Sequence, residues 1–191
     1  MDPIAKFEQW YHEELRKSTA TVPSACCLST IGTDGYPNAR YVSLKEVKDG
    51  TFIITGPLLS RKGVEITAIP KVALTFWWEA TQKQVRIQGD ANRIDNAAAD
   101  KYFEDRERDS CIVSFASRQG ETINDVYLLH QTYKDVEQRF HNKPIPRPED
   151  WGGFYITPIR IEFFAFSQNR FHERELYQTL DSGWKLQLLQ P

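Results

Sequence analysis

The chain has 191 residues, of which 40% are hydrophobic and 13% aromatic, enough to fill one sizeable core, so we read residues 1–191 as one domain. Lys and Arg number 24 against 26 Asp and Glu, a formal net charge of -2, which leaves no global positive field for nucleic acid or an anionic membrane. No apolar run reaches the ~20 residues that span a bilayer, and the start from Met1 to Leu15 lacks the basic-then-apolar order of a secretion signal, so a soluble, cytoplasmic protein is expected.

Between Pro3 and Lys17 the residues Ile4, Phe7, Trp10, Tyr11 and Leu15 recur at three- and four-residue intervals, which predicts an amphipathic N-terminal helix stopped by Thr21-Val22-Pro23. Ala25 to Ile31 and Ala39 to Lys45 are strand-like, and Thr33-Asp34-Gly35 joins them as a hairpin. A third strand is expected at Thr51 to Thr55, a short helix at Ser60 to Ile69, and further strands at Val72 to Trp78 and Lys83 to Arg93. Asn96 to about Arg108 and Thr122 to Phe140 have helical composition, and a proline-containing loop from Asn142 to Asp150 follows. The tail returns to strands at Gly153 to Ile156, Ile159 to Phe166, Leu176 to Thr179 and Trp184 to Leu188, with Asp181-Ser182-Gly183 as a turn. Many short strands without regular βαβ alternation predict a mainly β, α+β fold: an antiparallel barrel with helical additions.

Three cysteines, Cys26, Cys27 and Cys111, form neither a disulfide framework nor a zinc spacing and are read as core thiols. His12, His130, His141 and His172 are scattered, so no metal is expected.

Anion chemistry concentrates in four places. Strand alternation puts Arg40, Val42 and Leu44 on one face and Tyr41, Ser43 and Lys45 on the other; solvated charges at a strand edge are the plainer explanation of that pair. Ser60-Arg61-Lys62 opens a helix, where free N–H groups and the dipole already favour a phosphate. Tyr102, Arg106 and Ser110 stand at i, i+4 and i+8, so a helix continuing through them would offer a phenol, a guanidinium and a hydroxyl on one face; an exposed charged face explains them as well. Arg170, His172 and Arg174 share one side of the chain if it is extended there, a rim that favours an anionic or electron-rich ring. Gly152-Gly153 reads as a loop hinge or as a close approach of backbone to a ligand.

Taken in order, Arg40 to Lys45, Ser60-Arg61-Lys62, Lys83-Gln84-Val85, Lys101-Tyr102-Phe103, Arg108-Asp109-Ser110, Trp151-Gly152-Gly153-Phe154, Ile161-Glu162-Phe163, Arg170-Phe171-His172-Glu173-Arg174 and the ending Trp184 to Pro191 resemble the pyridoxamine 5′-phosphate oxidase family over nearly the whole chain. The resemblance implies a split β-barrel homodimer with FMN in clefts at the subunit interface, the strands from 153 to 191 completing the substrate site. It implies an FMN shell of Arg40, Tyr41, Val42, Ser43, Leu44, Lys45, Ile54, Thr55, Arg61, Lys62, Gln84, Gln119, Gly120, Phe164 and Arg174. Lys45, Tyr102, Arg106 and Ser110 would hold the substrate phosphate, with Arg170 and His172 facing the substrate ring as the catalytic pair. The implied reaction oxidises pyridoxamine or pyridoxine 5′-phosphate to pyridoxal 5′-phosphate, with dioxygen reduced to hydrogen peroxide and no protein nucleophile; the cofactor carries the hard chemistry.

Against the family pattern, Phe164 stands where a tryptophan is usual, Gly120 where a serine follows the glutamine, and Ile54 where an aromatic precedes the threonine; Gly56 to Leu59 is one residue longer, and the N-terminus is short. These departures keep two alternatives in view: a relative that oxidises another aromatic ring, as phenazine-forming members do, and a protein that holds FMN or pyridoxal phosphate without turnover.

Overall fold

The structure, a computed structural model, describes residues 2–191. The chain opens with α1 (Pro3–Lys17), whose Asp2 cap accepts from the amides of Ile4 and Ala5, as a residue before a proline-initiated first turn should. There follow β1 (Ala25–Ile31), β2 (Pro37–Ser43), β3 (Glu46–Lys48), β4 (Thr51–Pro57), α2 (Arg61–Ala68), β5 (Lys71–Trp78) and β6 (Lys83–Arg93). Then come α3 (Asn96–Glu104), α4 (Arg108–Ala116), α5 (Val126–Arg139), β7 (Trp151–Ala165), β8 (Glu173–Leu180) and β9 (Gly183–Leu189). Among the described residues no helix is long and apolar enough to cross a membrane.

The strands form one antiparallel sheet in the order β2-β1-β5-β6-β7-β4-β3, and β8 extends from β7 to β9. β7 is the pivot. One edge pairs with β6 along its whole length, while the other pairs with β4 through residues 151–156 and with β8 through residues 160–165. The sequence predicts two strands here, broken at Pro158. Instead β7 runs through it, because the register shifts at Gln88/Gly89, where a missing proline N–H is tolerated, and a Cβ on Gly89 would stand 2.4 Å from the Thr157 carbonyl. The change of partner at this bulge opens the barrel wall, so the antiparallel barrel expected from the sequence is a curled, split one.

The main core lies between the sheet and α1. Phe7 is fully buried, edge-on to Phe52 at 4.8 Å, and Trp10 packs edge-on to Phe163 at 5.1 Å with the ammonium groups of Lys6 and Lys83 over its ring. Buried Glu14 accepts from the amides of Ala80 and Thr81 and from the Thr81 hydroxyl, tying α1 to the β5–β6 turn. A second cluster, including Ile53, Phe103, Cys111 and Trp151, packs α3 and α4 against β4 and β7. Cys26 and Cys111 are core thiols as expected, whereas Cys27 is only half-buried.

Gly152 and Gly153 lie within β7 and not in a loop hinge. A Cβ on Gly153 would meet the Ile54 carbonyl at 2.3 Å, so glycine is what lets β7 pair closely with β4.

Candidate active site

A cleft of about 830 Å³ lies between the outer face of β2, the end of β4, the N-terminus of α2, and α4. Tyr41, Val42, Ser43, Leu44, Lys45, Thr55, Lys62, Arg106, Ser110 and Gln119 line it, together with Gly56, Ser114, Ser117 and Trp151. The alternation expected along β2 is present: Arg40 and Val42 are half-buried, and Tyr41 and Ser43 are exposed.

One end of the cleft is built by α2. Ser60 occupies the N-cap position without capping; its hydroxyl donates to the Pro57 carbonyl at 2.6 Å and accepts from Lys62 Nζ at 3.2 Å. The first amides of α2 therefore lack the usual side-chain acceptor. A Cβ on Gly63 would lie 2.1 Å from the Leu58 carbonyl oxygen, so only glycine lets this helix start sit so close to the β4 end. Lys62 also donates to Gln119 Oε1. Burial, together with the neighbouring Arg40 charge, lowers its pKa to about 8, and no carboxylate among the described residues pairs with it. A half-buried ammonium in this state favours an incoming anion.

Arg40 and Arg61 do not line the cleft. Both are turned to Glu65, Arg40 through Nη2 at 3.0 Å and Arg61 through Nε at 2.8 Å. Glu65 is not among the residues the sequence singles out, although its i,i+4 spacing from Arg61 is the available signal. Ile54 is also outside the cleft, 2% exposed within the main core, and Gly120 lies in a turn at φ +93°.

Another wall is built by α4 and the turn before it, and here the structure departs from the expected single helix. Tyr102, Arg106 and Ser110 do not share a helix: α3 stops at Glu104, Asp105 and Arg106 form a tight terminal turn, and Glu107 is extended before α4 begins. Acidic residues at 104 and 105 oppose the negative end of the helix dipole, while Asp109 suits the positive start of the next one. The break nevertheless brings Arg106 and Ser110 together, while Tyr102 is buried and does not line the cleft. Arg106 stacks over the Trp151 ring at 5.0 Å and its Nη2 reaches the Ser110 carbonyl at 3.4 Å, and Ser110 opens into the cleft from the first turn of α4. Arg106 Nε is buried without an acceptor. Tyr102 lies beneath, with Lys45 Nζ 5.9 Å from its ring centre; its hydroxyl donates to Glu46, and burial followed by that carboxylate raises the phenol's pKa.

The remaining expected residues form a separate group. Gln84 pairs across the sheet with Phe164, and Phe164 with Arg174, whose guanidinium lies over the Phe164 ring at 5.5 Å and donates to Glu162. The His172 ring lies 5.0 Å from those of Phe164 and Phe166, and its Nδ1 accepts from the Ser167 amide at 3.1 Å. The expected extended alternation fails here. Arg170 turns with φ +63°, its amide bonded to the Ser167 carbonyl, and β8 starts only at Glu173. None of these five residues lines the cleft. Thr55 pairs with Gly153 and Arg174 with Phe164, eleven positions apart on β7, a strand path of at most roughly 35 Å at ~3.3 Å per residue.

Residues 12–140 match the family model described as pyridoxamine 5′-phosphate oxidase, and residues 151–191 match that of the pyridoxine 5′-phosphate oxidase C-terminal dimerisation region. Curated relatives include pyridoxine/pyridoxamine 5′-phosphate oxidases of Myxococcus xanthus, 38% identical over 100% of this chain and 92% of theirs, and of Rubrobacter xylanophilus, 40% identical over 100% and 87%. Among solved structures, PhzG of Burkholderia lata in complex with tetrahydrophenazine-1-carboxylic acid superposes with a TM-score of 0.92 at 27% identity, covering 100% of this chain and 93% of that one. An FMN-binding, pyridoxamine 5′-phosphate oxidase-related protein of Nostoc punctiforme shares the fold with a TM-score of 0.78 at 14% identity over 96% of each chain. The two family models account for nearly all of the sequence, and the chain is an oxidoreductase belonging to the pyridoxamine 5′-phosphate oxidase family.

Proposed function

We propose that this protein is an FMN-dependent oxidase that converts pyridoxamine or pyridoxine 5′-phosphate to pyridoxal 5′-phosphate, reducing dioxygen to hydrogen peroxide. What supports the reading is one cleft lined by two cationic groups: Lys62 beside the uncapped start of α2, and Lys45 with Arg106 and Ser110. A phosphorylated cofactor beside a phosphorylated substrate needs two such groups, and a lone phosphorylated ligand needs one. Lys62 without a carboxylate partner and Arg106 with a buried free N–H both fit phosphate oxygens.

Lys62, Thr55 and Gln119 would hold FMN by its phosphate end, with Arg40 and Arg61 adding charge behind them. When bound, FMN supplies the acceptor for a hydride equivalent from the carbon bearing the amine or alcohol and passes those electrons to dioxygen. The protein contributes position and electrostatics. Arg106 and Lys45 would fix the substrate phosphate, and Trp151 keeps the Arg106 fork oriented.

The second group then belongs to the same site in a homodimer. None of Gln84, Phe164, Arg170, His172 and Arg174 lines the cleft of its own chain. The C-terminal region that carries Phe164, Arg170, His172 and Arg174 matches a dimerisation model, so a second copy would bring them over the cleft. Because His172 Nδ1 accepts an amide hydrogen, its neutral form carries the proton at Nε2, where it can donate to the substrate ring.

A second reading, oxidation of a phenazine-type ring, is favoured by the likeness to PhzG. The two readings separate in a peroxide-release assay across phosphorylated pyridines, their unphosphorylated forms and a reduced tricyclic acid. The proposal predicts turnover only with the phosphorylated pyridines. Preference for the tricycle, or indifference to the phosphate, would replace it with the second reading.

A further inference from the structure

Glu65 is a charged side chain placed where a helix-to-sheet contact is ordinarily apolar. It projects from α2 with 4% of its side chain exposed, yet it is fully satisfied. Oε1 accepts from Asn38 Nδ2 at 2.7 Å and Arg61 Nε at 2.8 Å, and Oε2 from the Thr30 hydroxyl at 2.5 Å and Arg40 Nη2 at 3.0 Å. Arg40 Nη1 in turn donates to Thr30 Oγ1 and the Leu28 carbonyl. One carboxylate thus links β1, β2 and the first turn of α2, fixing two guanidinium groups. The Arg40 charge is felt at Lys62, which lines the cleft.

Burial alone would raise the Glu65 pKa, but the bonds from Thr30, Arg61 and Arg40 outweigh it and hold the carboxyl below its ordinary value, so the group stays ionised. Arg40, Arg61 and Lys62 less the carboxylates of Glu65 and Asp34, the latter 3.5 Å from Arg61 Nη2, leave a formal charge of one, so the cluster stays cationic towards a phosphate. Without Glu65 the three cations would repel one another, Arg40 would have no carboxylate partner and Arg61 would keep only Asp34.

We propose that Glu65 is a positioning residue for the flavin phosphate: it orients Arg40 and Arg61 behind Lys62 and sets the charge of that end of the cleft. This rests on the reading of the cleft as an FMN site. The test compares dissociation constants for FMN and riboflavin, measured by quenching of flavin fluorescence in the wild type, Glu65→Ala, Glu65→Gln and Thr30→Val, with far-UV circular dichroism as the check of folding. In Glu65→Ala, FMN affinity is expected to fall at least about tenfold while riboflavin affinity stays within about twofold. Glu65→Gln, which keeps one acceptor, should fall between, and Thr30→Val should show a smaller loss of the same kind. Parallel loss of FMN and riboflavin would mean a structural role only and would overturn the proposal, as would unchanged or tighter FMN binding by a folded variant. If Glu65→Ala does not fold, Glu65→Gln and Thr30→Val decide by the same ratio. A wild type that binds FMN no better than riboflavin would instead remove the flavin reading itself.

Discussion

Lys62 makes the phosphate reading quantitative. Its pKa of about 8 against an ordinary 10.5 means that the folded, ligand-free protein disfavours its cation. At ~1.36 kcal/mol per pH unit that gap corresponds to roughly 3 kcal/mol, and water still reaching the ammonium reduces it to about 2 kcal/mol. A phosphate dianion beside it reverses the preference, so FMN binding above pH 8 takes up a proton. The FMN dissociation constant should therefore be nearly flat up to pH 8 and rise about tenfold between pH 7 and 9, while riboflavin, which lacks the phosphate, shows no such slope. Lys62→Ala removes a charge-assisted hydrogen bond of about 1.5–3 kcal/mol, a roughly 10- to 150-fold loss for FMN, and removes the slope. The same shift acts on folding. Between about pH 8 and 10.5 the unfolded chain binds the proton that the folded chain sheds, so Lys62 adds stability to the ligand-free protein as pH rises through that window. Fluorescence titration from pH 6.5 to 9 checks the account; a flat wild-type profile, or a slope that survives Lys62→Ala, would refute it.

Arg106→Ala should raise KM for pyridoxamine 5′-phosphate by about 10- to 100-fold, leaving FMN affinity unchanged, because Arg106 and Lys62 share no hydrogen-bond partner; unchanged KM would remove Arg106 from the phosphate site. Glu46→Gln should lower that KM by about tenfold or less, since the carboxylate holds the Tyr102 hydroxyl and repels an incoming phosphate; steady-state kinetics showing a higher KM would contradict this. Glu14→Ala leaves two amides of the β5–β6 turn without their acceptor, a cost of about 2–4 kcal/mol, and a thermal melt should show Tm lower by roughly 4–16 °C.

Much of the fold is legible in the sequence because its signals are local. The apolar spacing of α1 and the turn residues at Thr33-Asp34-Gly35 and Asp181-Ser182-Gly183 predict elements that the structure contains. What is lost is set by long-range pairing. Glu46–Lys48 is too short to show strand periodicity and becomes β3 only by pairing with β4, and Pro158 reads as a break until Gly89 supplies the bulge opposite it. The candidate site divides in the same way. Lys45, Arg106, Ser110 and Lys62 line one cleft, though Arg106 arrives through a break between helices and not along one helix, and Arg40, Arg61 and Tyr102 do not line it. Strand alternation would put Arg170 and His172 on one face, but a left-handed residue and an Asn169 side chain that accepts from the Phe171 amide make that segment a turn. Their distance from the cleft follows from β7, and a second copy of the chain is what the proposed site requires to reunite them.

The central claim is a redox one, and the absorption spectrum of the FMN-loaded protein tests it most directly. Anaerobic mixing with pyridoxamine 5′-phosphate, and separately with pyridoxine 5′-phosphate, should bleach the visible flavin band, and admitting air should restore it with release of peroxide. Bound flavin that stays oxidised with both substrates would contradict the account.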